Sequence, residues 1–274
     1  MFPRLFTVPG FHLFRWDAPS FTLHTYGVLL AAAFLTGLYV AARQARKAGL
    51  DANRVADLGV YVLIAGLLGA KLLLVVVDFS HYRAHPEDIL SIFQSGGVFY
   101  GGLLLAFPVA AWYVRRHALP AWATADCLAP GVVIGQSIGR LGCFSAGCCF
   151  GRPTSVAWGV TFRDAYANRY VGTPLDIALH PTQIYEALFT LLIFFVLLRV
   201  AARKRFHGQV VIVYVALYAI GRFLVEFYRG DASRGTVLGG VLSTSQFIAL
   251  LLLLGAAAVT PYLAKRQKVA DAGA

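Results

Sequence analysis

Long apolar segments recur along the whole chain and are separated by short polar ones. Seven segments are predominantly apolar: residues 25–42, 58–77, 97–114, 127–138, 184–198, 210–227 and 236–264. Four of them contain no Lys, Arg, Asp or Glu, and most of the seven approach the roughly 20 residues that a helix needs to cross a hydrocarbon core. The pattern predicts an all-α polytopic membrane protein with about seven transmembrane helices.

Basic residues are distributed unevenly between the connecting loops. Tight clusters lie at 43–47, 115–116, 203–205 and 265–268, whereas the alternate loops are longer and their arginines are scattered. Because cytoplasmic loops are enriched in Lys and Arg, the clusters predict an N-terminus outside and a cytoplasmic C-terminus. The net charge of +11 is therefore interpreted as a topology signal with affinity for anionic lipid, and not as a nucleic-acid interface.

The sequence contains no sign of a second domain, an internal repeat or a low-complexity linker. Residues 1–274 are therefore predicted to form a single integral-membrane domain. The longest extramembrane segment, residues 151–183, lies on the predicted outer side and carries aromatic residues suited to the headgroup level, such as Trp158 and Tyr170. We interpret it as a periplasmic cap over a site, with a plain connection as the alternative.

The stretch 139–151 combines an arginine with glycines and three cysteines. Arg140 follows an apolar run, and an ionic side chain at membrane depth is costly, which favours a binding role over a packing role. Glycines allow backbone amides to approach an anion, as a phosphate-binding turn requires. The stretch predicts that an anion is held at the end of a membrane helix.

A second polar pattern lies in the sixth apolar segment. Four of its residues would share one face of a continuous helix: Tyr218, Arg222, Glu226 and Arg229. A self-neutralising pair of Arg222 and Glu226 is one interpretation. Because Arg140 lies on the same predicted side of the membrane, we favour a phospholipid headgroup site in which arginines contact the phosphate.

The stretch from His180 to Glu186 leads into the fifth apolar segment. Pro181 is typical of a helix N-terminus. Gln183 and Glu186 lie deeper, and we expect them to contact a partner such as an arginine. His180 is either a base or an interfacial histidine, and the second is the more common case.

These motifs together resemble the bacterial prolipoprotein diacylglyceryl transferase family over nearly the whole chain. The resemblance lies in Tyr26-Gly27, residues 96–102, the Gly139-Arg140-x-Gly142 stretch, residues 180–186 and the Arg222 to Arg229 stretch. It implies transfer of the diacylglyceryl group of phosphatidylglycerol to the lipobox cysteine thiol of prolipoprotein signal peptides, in the bacterial inner membrane. This reaction forms a thioether and releases glycerol phosphate, and it implies no metal and no organic cofactor.

The resemblance also implies roles for single residues. Arg140 and Arg222 would hold the phosphate, and Glu226 would orient Arg222. The residues implied to line the cavity are Tyr26, Gly142, Gly151, Gln183, Tyr185, Glu186, Tyr218 and Arg229. Direct displacement by the substrate thiolate needs no nucleophile from the enzyme. The alternative is a divergent paralogue that binds or transports anionic phospholipid without catalysis.

The chain departs from the family pattern at Tyr100, where the family often has a histidine, and at Cys143 and Cys148, where it often has asparagine and glutamate. Tyr100 is a candidate base, but its unperturbed pKa of about 10 makes it a poor one at neutral pH. Thiol deprotonation through the field of the arginines is the alternative that we favour.

Three of the four cysteines follow the fourth apolar segment: Cys143, Cys148 and Cys149. We interpret them as small apolar residues in a glycine-rich turn, where Cys143 and Cys148 could pair in an oxidising compartment. A thiol-dependent enzyme or a zinc site that uses these cysteines with His180 is the less favoured alternative, and vicinal cysteines are awkward zinc ligands for tetrahedral geometry. Cys127 lies too far along the same predicted helix to pair with Cys143.

Overall fold

The structure, a computed structural model, describes residues 3–8, 11–13, 16–18, 21–85, 87–88, 97–230 and 235–272. These residues form nine α-helices: α1 Thr25–Lys47, α2 Ala52–Val77, α3 Phe79–Ala84, α4 Phe99–Arg116, α5 Ala121–Ala146, α6 Ala165–Val171, α7 Thr182–Ala202, α8 Gln209–Glu226 and α9 Thr244–Ala272. The predicted all-α class is confirmed.

Six of the helices within the described ranges are long and apolar enough to cross a membrane: α1, α2, α5, α7, α8 and α9. The predicted segment 97–114 also forms a helix, α4, but its 18 residues end on Arg115 and Arg116, and it is not among the six. A multi-pass membrane fold is thus confirmed, whereas the seventh crossing and the orientation stay predictions.

Short antiparallel strand pairs lie in the connections. The pairs in the described part of the chain are β1 Arg4–Val8 with β4 Phe21–His24, β2 Phe11–Leu13 with β3 Trp16–Ala18, β5 Val160–Thr161 with β6 Ala178–Leu179, and β7 Thr236–Val237 with β8 Leu242–Ser243. The pair β5–β6 and helix α6 fold the 151–183 segment around buried Phe162. Its role as a cap stays a prediction.

The chain divides into two compact units, one comprising residues 1–40 and 125–274 and the other residues 41–124. In the second unit α2 and α4 pack closely at Gly69 and Gly101, where a Cβ on either residue would collide with the backbone oxygen of the other. The single domain over residues 1–274 stays a prediction.

In the first unit, α5, α7 and α8 pack around an apolar core. Its buried residues are Ala129, Val133, Ile193, Leu197 and Val210. The Ser137 hydroxyl of α5 donates to the Ala187 carbonyl of α7 at 2.8 Å. This packing places the arginine of α5 beside the glutamate of α7.

Asp126 of α5 is a buried carboxylate that holds the start of α8. Its oxygens contact Lys204 Nζ at 3.1 Å and accept from the backbone N–H groups of Gly208, Val210 and Val211 at 2.9, 2.9 and 3.1 Å. The first N–H groups of a helix have no intrahelical acceptor, and a negative charge there also favours the helix dipole. This role was not predicted, although a lone acidic residue before an apolar segment was a signal for it.

Asp126→Asn should lower the free energy of unfolding by about 3 kcal/mol, because it leaves a largely buried ammonium unpaired and weakens three hydrogen bonds to a charged acceptor. Chemical unfolding in detergent measures the change. Asp51→Asn is the matched control, since Asp51 caps α2 from a half-exposed position and asparagine caps helices equally well. Equal losses in the two variants would contradict the role of Asp126.

Candidate functional site

A buried carboxylate joins two arginines at the ends of α5, α7 and α8. Glu186 Oε2 lies 2.6 Å from Arg140 Nε, and Glu186 Oε1 lies 3.0 Å from Arg229 Nη1. The side chains of Glu186 and Arg229 are 5% and 3% exposed, whereas that of Arg140 is 23% exposed. The expected contact between Glu186 and an arginine is confirmed, and Arg140 is the member of this triad that a ligand can reach.

A second ion pair lies within α8. Arg222 Nη1 is 2.6 Å from Glu226 Oε2, and both side chains are about nine-tenths buried, at 11% and 9% exposure. Arg222 Nη2 also donates to Ser245 Oγ of α9 at 2.9 Å. The predicted pairing of Arg222 with Glu226 is confirmed, and Ser245 is a partner that the sequence did not indicate.

Arg229 does not share a helical face with Arg222 and Glu226. Helix α8 ends at Glu226, so the predicted common face is wrong for Arg229. Arg229 instead forms an antiparallel bridge with Gly151, and its carbonyl accepts from Arg152 Nε at 3.0 Å. The Arg229 guanidinium is therefore positioned where its chain segment crosses the segment of Gly151, beyond the end of α8. Helical spacing in the sequence does not indicate this position.

Gly151 lies at the centre of this crossing. Its N–H donates to the His180 carbonyl at 2.9 Å, and the next N–H, of Arg152, donates to the Tyr228 carbonyl at 2.8 Å. A Cβ on Gly151 would lie 2.5 Å from the His180 oxygen and 2.7 Å from the Tyr228 oxygen. The crossing thus requires glycine for packing, and a contact of Gly151 with substrate stays a prediction.

Gly151→Ala should destabilise the protein by about 2 kcal/mol, within the usual range for overpacking, because backbone atoms have to move to admit the methyl group. Thermal unfolding in detergent measures the effect. In the control, Gly255→Ala, nothing lies within 4 Å of the new Cβ in the middle of α9, and the change should be neutral or slightly stabilising. A Gly151 variant as stable as the control would rule out the tight crossing.

Gly139 and Gly142 lie within helix α5, and the binding of an anion by this stretch stays a prediction. Helix α5 continues through both residues to Ala146, so their amides belong to the helix. Gly142 instead makes room for a neighbouring helix, since a Cβ there would lie 3.2 Å from Cδ2 of Tyr26. Two residues of the predicted cavity, Tyr26 and Gly142, are therefore in contact.

The turn after α5 brings the thiols of Cys148 and Cys149 close to the thiol of Cys143, which lies in the last turns of the helix. The Sγ atoms of Cys143, Cys148 and Cys149 all lie within 4.8 Å of one another, and all three cysteines are free. Cys149 has φ +62°, and Gly147 has φ +81°. This left-handed backbone is uncommon for a cysteine, and it turns two adjacent side chains towards one partner. As predicted, Cys127 lies in the same continuous helix as Cys143.

Three consecutive carbonyls of this turn each accept a hydrogen bond from a distant side chain. Thr173 Oγ1 donates to Gly147 at 2.9 Å, Gln183 Nε2 to Cys148 at 2.7 Å and Thr182 Oγ1 to Cys149 at 2.8 Å. All three donor side chains are buried. The partner of Gln183 is thus a backbone carbonyl and not an arginine.

The thiols lie close enough to change one another's pKa. Hydrogen bonds from Cys143 and Cys148 lower the pKa of Cys149, and the Arg229 guanidinium lowers it further. Hydrogen bonds with Cys143 and Cys149 raise the pKa of Cys148. The cluster therefore lies beside a positive charge, and the packing role inferred from the sequence stays a prediction.

Tyr185 ties the 151–183 segment to α7. Its hydroxyl accepts from Trp158 Nε1 at 2.7 Å and lies 3.1 Å from His180 Nδ1. Tyr228 stacks edge-on against the rings of both His180 and Tyr185. His180 thus belongs to an aromatic cluster, and its role as an interfacial histidine stays a prediction.

A cavity of about 430 Å³ opens beside the ion pairs, within the usual size of a small-molecule site. Both Glu226 and Arg229 line it, together with Ser243 and Gln246. The cavity therefore extends from Glu226, of the α8 ion pair, to Arg229, of the buried triad.

Comparison with known proteins decides the family. The family model described as "Prolipoprotein diacylglyceryl transferase" matches residues 13–262. The chain belongs to the prolipoprotein diacylglyceryl transferase family. A relative from Clostridium tetani, named phosphatidylglycerol--prolipoprotein diacylglyceryl transferase, is 35% identical over 232 residues, which cover 85% of this chain and 90% of that protein. A relative of the same name from Clostridioides difficile is 29% identical over 257 residues, covering 92% and 97%.

In this member of the prolipoprotein diacylglyceryl transferase family, nearly all of the predicted site residues belong to one compact unit. They are Tyr26, Arg140, Gly142, Gly151, Gln183, Tyr185, Glu186, Tyr218, Arg222, Glu226 and Arg229. Tyr218 lies close enough to Arg140 to interact with it electrostatically. Tyr100 belongs to the other unit, in the first turn of α4, and its side chain is more than half exposed.

Proposed function

We propose that the chain transfers the diacylglyceryl group of phosphatidylglycerol to the lipobox cysteine thiol of prolipoproteins, at the outer leaflet of the bacterial inner membrane. One observation supports this function above all: a chain of this family holds three arginines and two carboxylates in ion pairs on its membrane helices and at their ends. The substrates correspond to those in the names of the relatives.

The charge of the cluster fits the lipid donor. Three guanidinium groups and two carboxylates leave one net positive charge, which equals the single negative charge of a phosphodiester. Arg140 contacts Glu186 through Nε, one of its five N–H donors, and it is the most exposed of the three arginines. We assign the phosphate contact to Arg140 with Arg222, and we assign to Arg229 the positioning of Glu186.

The reaction is a direct displacement. The substrate thiolate attacks the glyceryl carbon that carries the phosphate ester, the C–S bond forms and the C–O bond breaks. The bonding electron pair goes to the ester oxygen, so the departing glycerol phosphate gains a second negative charge. Guanidinium groups already fixed by Glu186 and Glu226 stabilise this charge without reorganising.

Tyr100→Phe should keep at least about a third of the transfer activity, because we do not assign the proton of the substrate thiol to Tyr100. If Tyr100 were the acceptor, the loss would be about a hundredfold or more, as is usual for a general base. Turnover of a lipobox peptide by purified variants measures the difference. An inactive Phe variant that still binds phosphatidylglycerol would make Tyr100 the base.

Complementation tests the function in cells. A bacterial strain depleted of its own diacylglyceryl transferase should grow when this chain is expressed, and its lipoproteins should carry the diacylglyceryl group by mass spectrometry. The control is Arg140→Ala, expressed at an equal level in the membrane. Chain that inserts and binds phosphatidylglycerol but leaves the lipoproteins unmodified would identify a non-catalytic lipid-binding paralogue instead.

A further inference from the structure

On the basis of the proposed function, we propose that Cys143, Cys148 and Cys149 bind a zinc ion whose fourth coordination position accepts the thiolate of the substrate cysteine. The site would form the nucleophile of the transfer reaction. This function replaces the packing role and the incidental disulfide that the sequence favoured.

The geometry suits one metal ion. Zinc bound by thiolates has Zn–S distances of about 2.3 Å, which place tetrahedral ligands about 3.8 Å apart. The three sulfur atoms lie within 4.8 Å of one another, so a small closing movement brings them to these distances. The left-handed backbone of Cys149 lets the vicinal pair point to one centre, which removes the geometric objection raised from the sequence.

The turn that carries Cys148 and Cys149 is held in place by side-chain hydrogen bonds to its backbone. Buried Thr173, Gln183 and Thr182 hold its three consecutive carbonyls. Outer hydrogen bonds of this kind orient ligands and raise the affinity of metal sites. Strained backbone at a fully supported position is typical of a functional site.

The cluster provides three ligands, and a fourth His, Cys, Asp or Glu does not join it among the residues that the structure describes. Three protein ligands with one open position are characteristic of catalytic zinc, whereas structural zinc has four. Zinc with three thiolates carries one net negative charge, and the site lies beside the Arg229 guanidinium, which interacts with the Cys149 sulfur. A fourth thiolate, from the substrate cysteine, completes the tetrahedron.

The reaction needs such activation because a free cysteine thiol has a pKa of about 8.5. The carboxylates of the site are engaged by arginines, Glu186 by two of them and Glu226 by one. Both carboxylates therefore already have cationic partners in the site. A thiol that coordinates zinc, by contrast, loses its proton outright.

In the proposed reaction, each bond that forms is matched by a bond that breaks. The substrate thiol binds zinc as thiolate, displaces water and releases one proton to solvent. Its sulfur then attacks the glyceryl carbon, the ester C–O bond breaks, and glycerol phosphate leaves with the electron pair. The neutral thioether is a weaker ligand than a thiolate, so it dissociates, water returns to zinc, and no oxidant or reductant is consumed.

Metal binding can be measured without any transfer reaction. The full-length protein in detergent should bind one equivalent of Zn²⁺, and Co²⁺ in its place should give thiolate-to-cobalt absorption bands. Adding a lipobox peptide should intensify these bands, whereas the peptide with serine in place of cysteine should not. Cys143→Ser, Cys148→Ser and Cys149→Ser should each lose the metal, and Cys127→Ala, which removes the distant thiol, should retain it.

Transfer activity provides an independent test of the zinc site. Removing zinc with a chelator should lower turnover at pH 7 by about a hundredfold, the usual size of a proton-transfer contribution. At pH 9.5 the loss should shrink to less than about tenfold, because the free substrate thiol ionises there without metal. Re-adding Zn²⁺ should restore the rate at pH 7.

The outcomes separate the zinc site from the proposed function. Wild-type protein that transfers diacylglyceryl at full rate with less than about 0.1 equivalent of zinc would overturn the site and leave the function intact. A disulfide between Cys143 and Cys148 in protein as isolated would overturn the site as well. Stoichiometric zinc in a protein that never modifies the peptide would instead refute the transfer function.

Discussion

Replacing Arg140 by alanine is expected to reduce diacylglyceryl transfer by about a thousandfold while the protein stays folded in the membrane. Arg140 is the most exposed arginine of the cluster, and Glu186 keeps its contact with Arg229 when Arg140 is removed. The variant removes the net positive charge that we assign to the phosphodiester, and the loss of one preformed donor to a developing anion typically costs about 10²–10³ in rate.

The measurement is kcat/KM for a lipobox peptide with phosphatidylglycerol vesicles. Arg140→Lys keeps the charge but not the planar fork, so it should remain at least about tenfold below wild type. Arg163→Ala is the matched control, because Arg163 forms a surface ion pair with Asp176 in which both side chains are about four-fifths exposed. Full activity of the Arg140 alanine variant would remove this residue from the site.

Glu186→Gln is expected to have the largest effect on stability. The substitution leaves two guanidinium groups without their shared carboxylate, and one of these, on Arg229, is almost fully buried. Breaking a buried ion pair by removing one partner typically costs about 3–5 kcal/mol. We therefore expect a loss in this range in detergent unfolding, together with loss of transfer.

A double variant tests the cause of that loss. Glu186→Gln combined with Arg229→Gln removes both buried charges, so it should be less destabilised than the sum of the two single variants by about 2 kcal/mol. Asp176→Asn, which removes the exposed partner of Arg163, should change stability by less than about 0.5 kcal/mol. Additive losses at positions 186 and 229 would contradict the shared carboxylate.

Local spacing was enough to predict part of the site. The Arg222–Glu226 pair follows from helical geometry, since residues four apart lie side by side on a helix. The expectation that Glu186 contacts an arginine followed from an acidic residue placed deep in an apolar segment. The first prediction needed only the geometry of one helix, and the second needed only the cost of burying a charge.

The remaining features depend on contacts distant in sequence. Arg229 lies beyond the end of α8, and only the crossing at Gly151 brings it to Glu186. The sequence pattern did not indicate that Gly139 and Gly142 lie inside α5, which continues to Ala146. The clustering of the thiols depends on the left-handed backbone of Cys149, which a sequence pattern does not encode.

This chain is expected to move a diacylglyceryl group from an anionic phospholipid to a thiol. The mass of a synthetic lipobox peptide, after incubation with the purified full-length protein and phosphatidylglycerol, measures this transfer directly. We expect a gain of one diacylglyceryl group, an equal amount of glycerol phosphate, and no change in the same peptide with serine in place of cysteine. An unmodified cysteine peptide, in the presence of folded protein that binds phosphatidylglycerol, would contradict it.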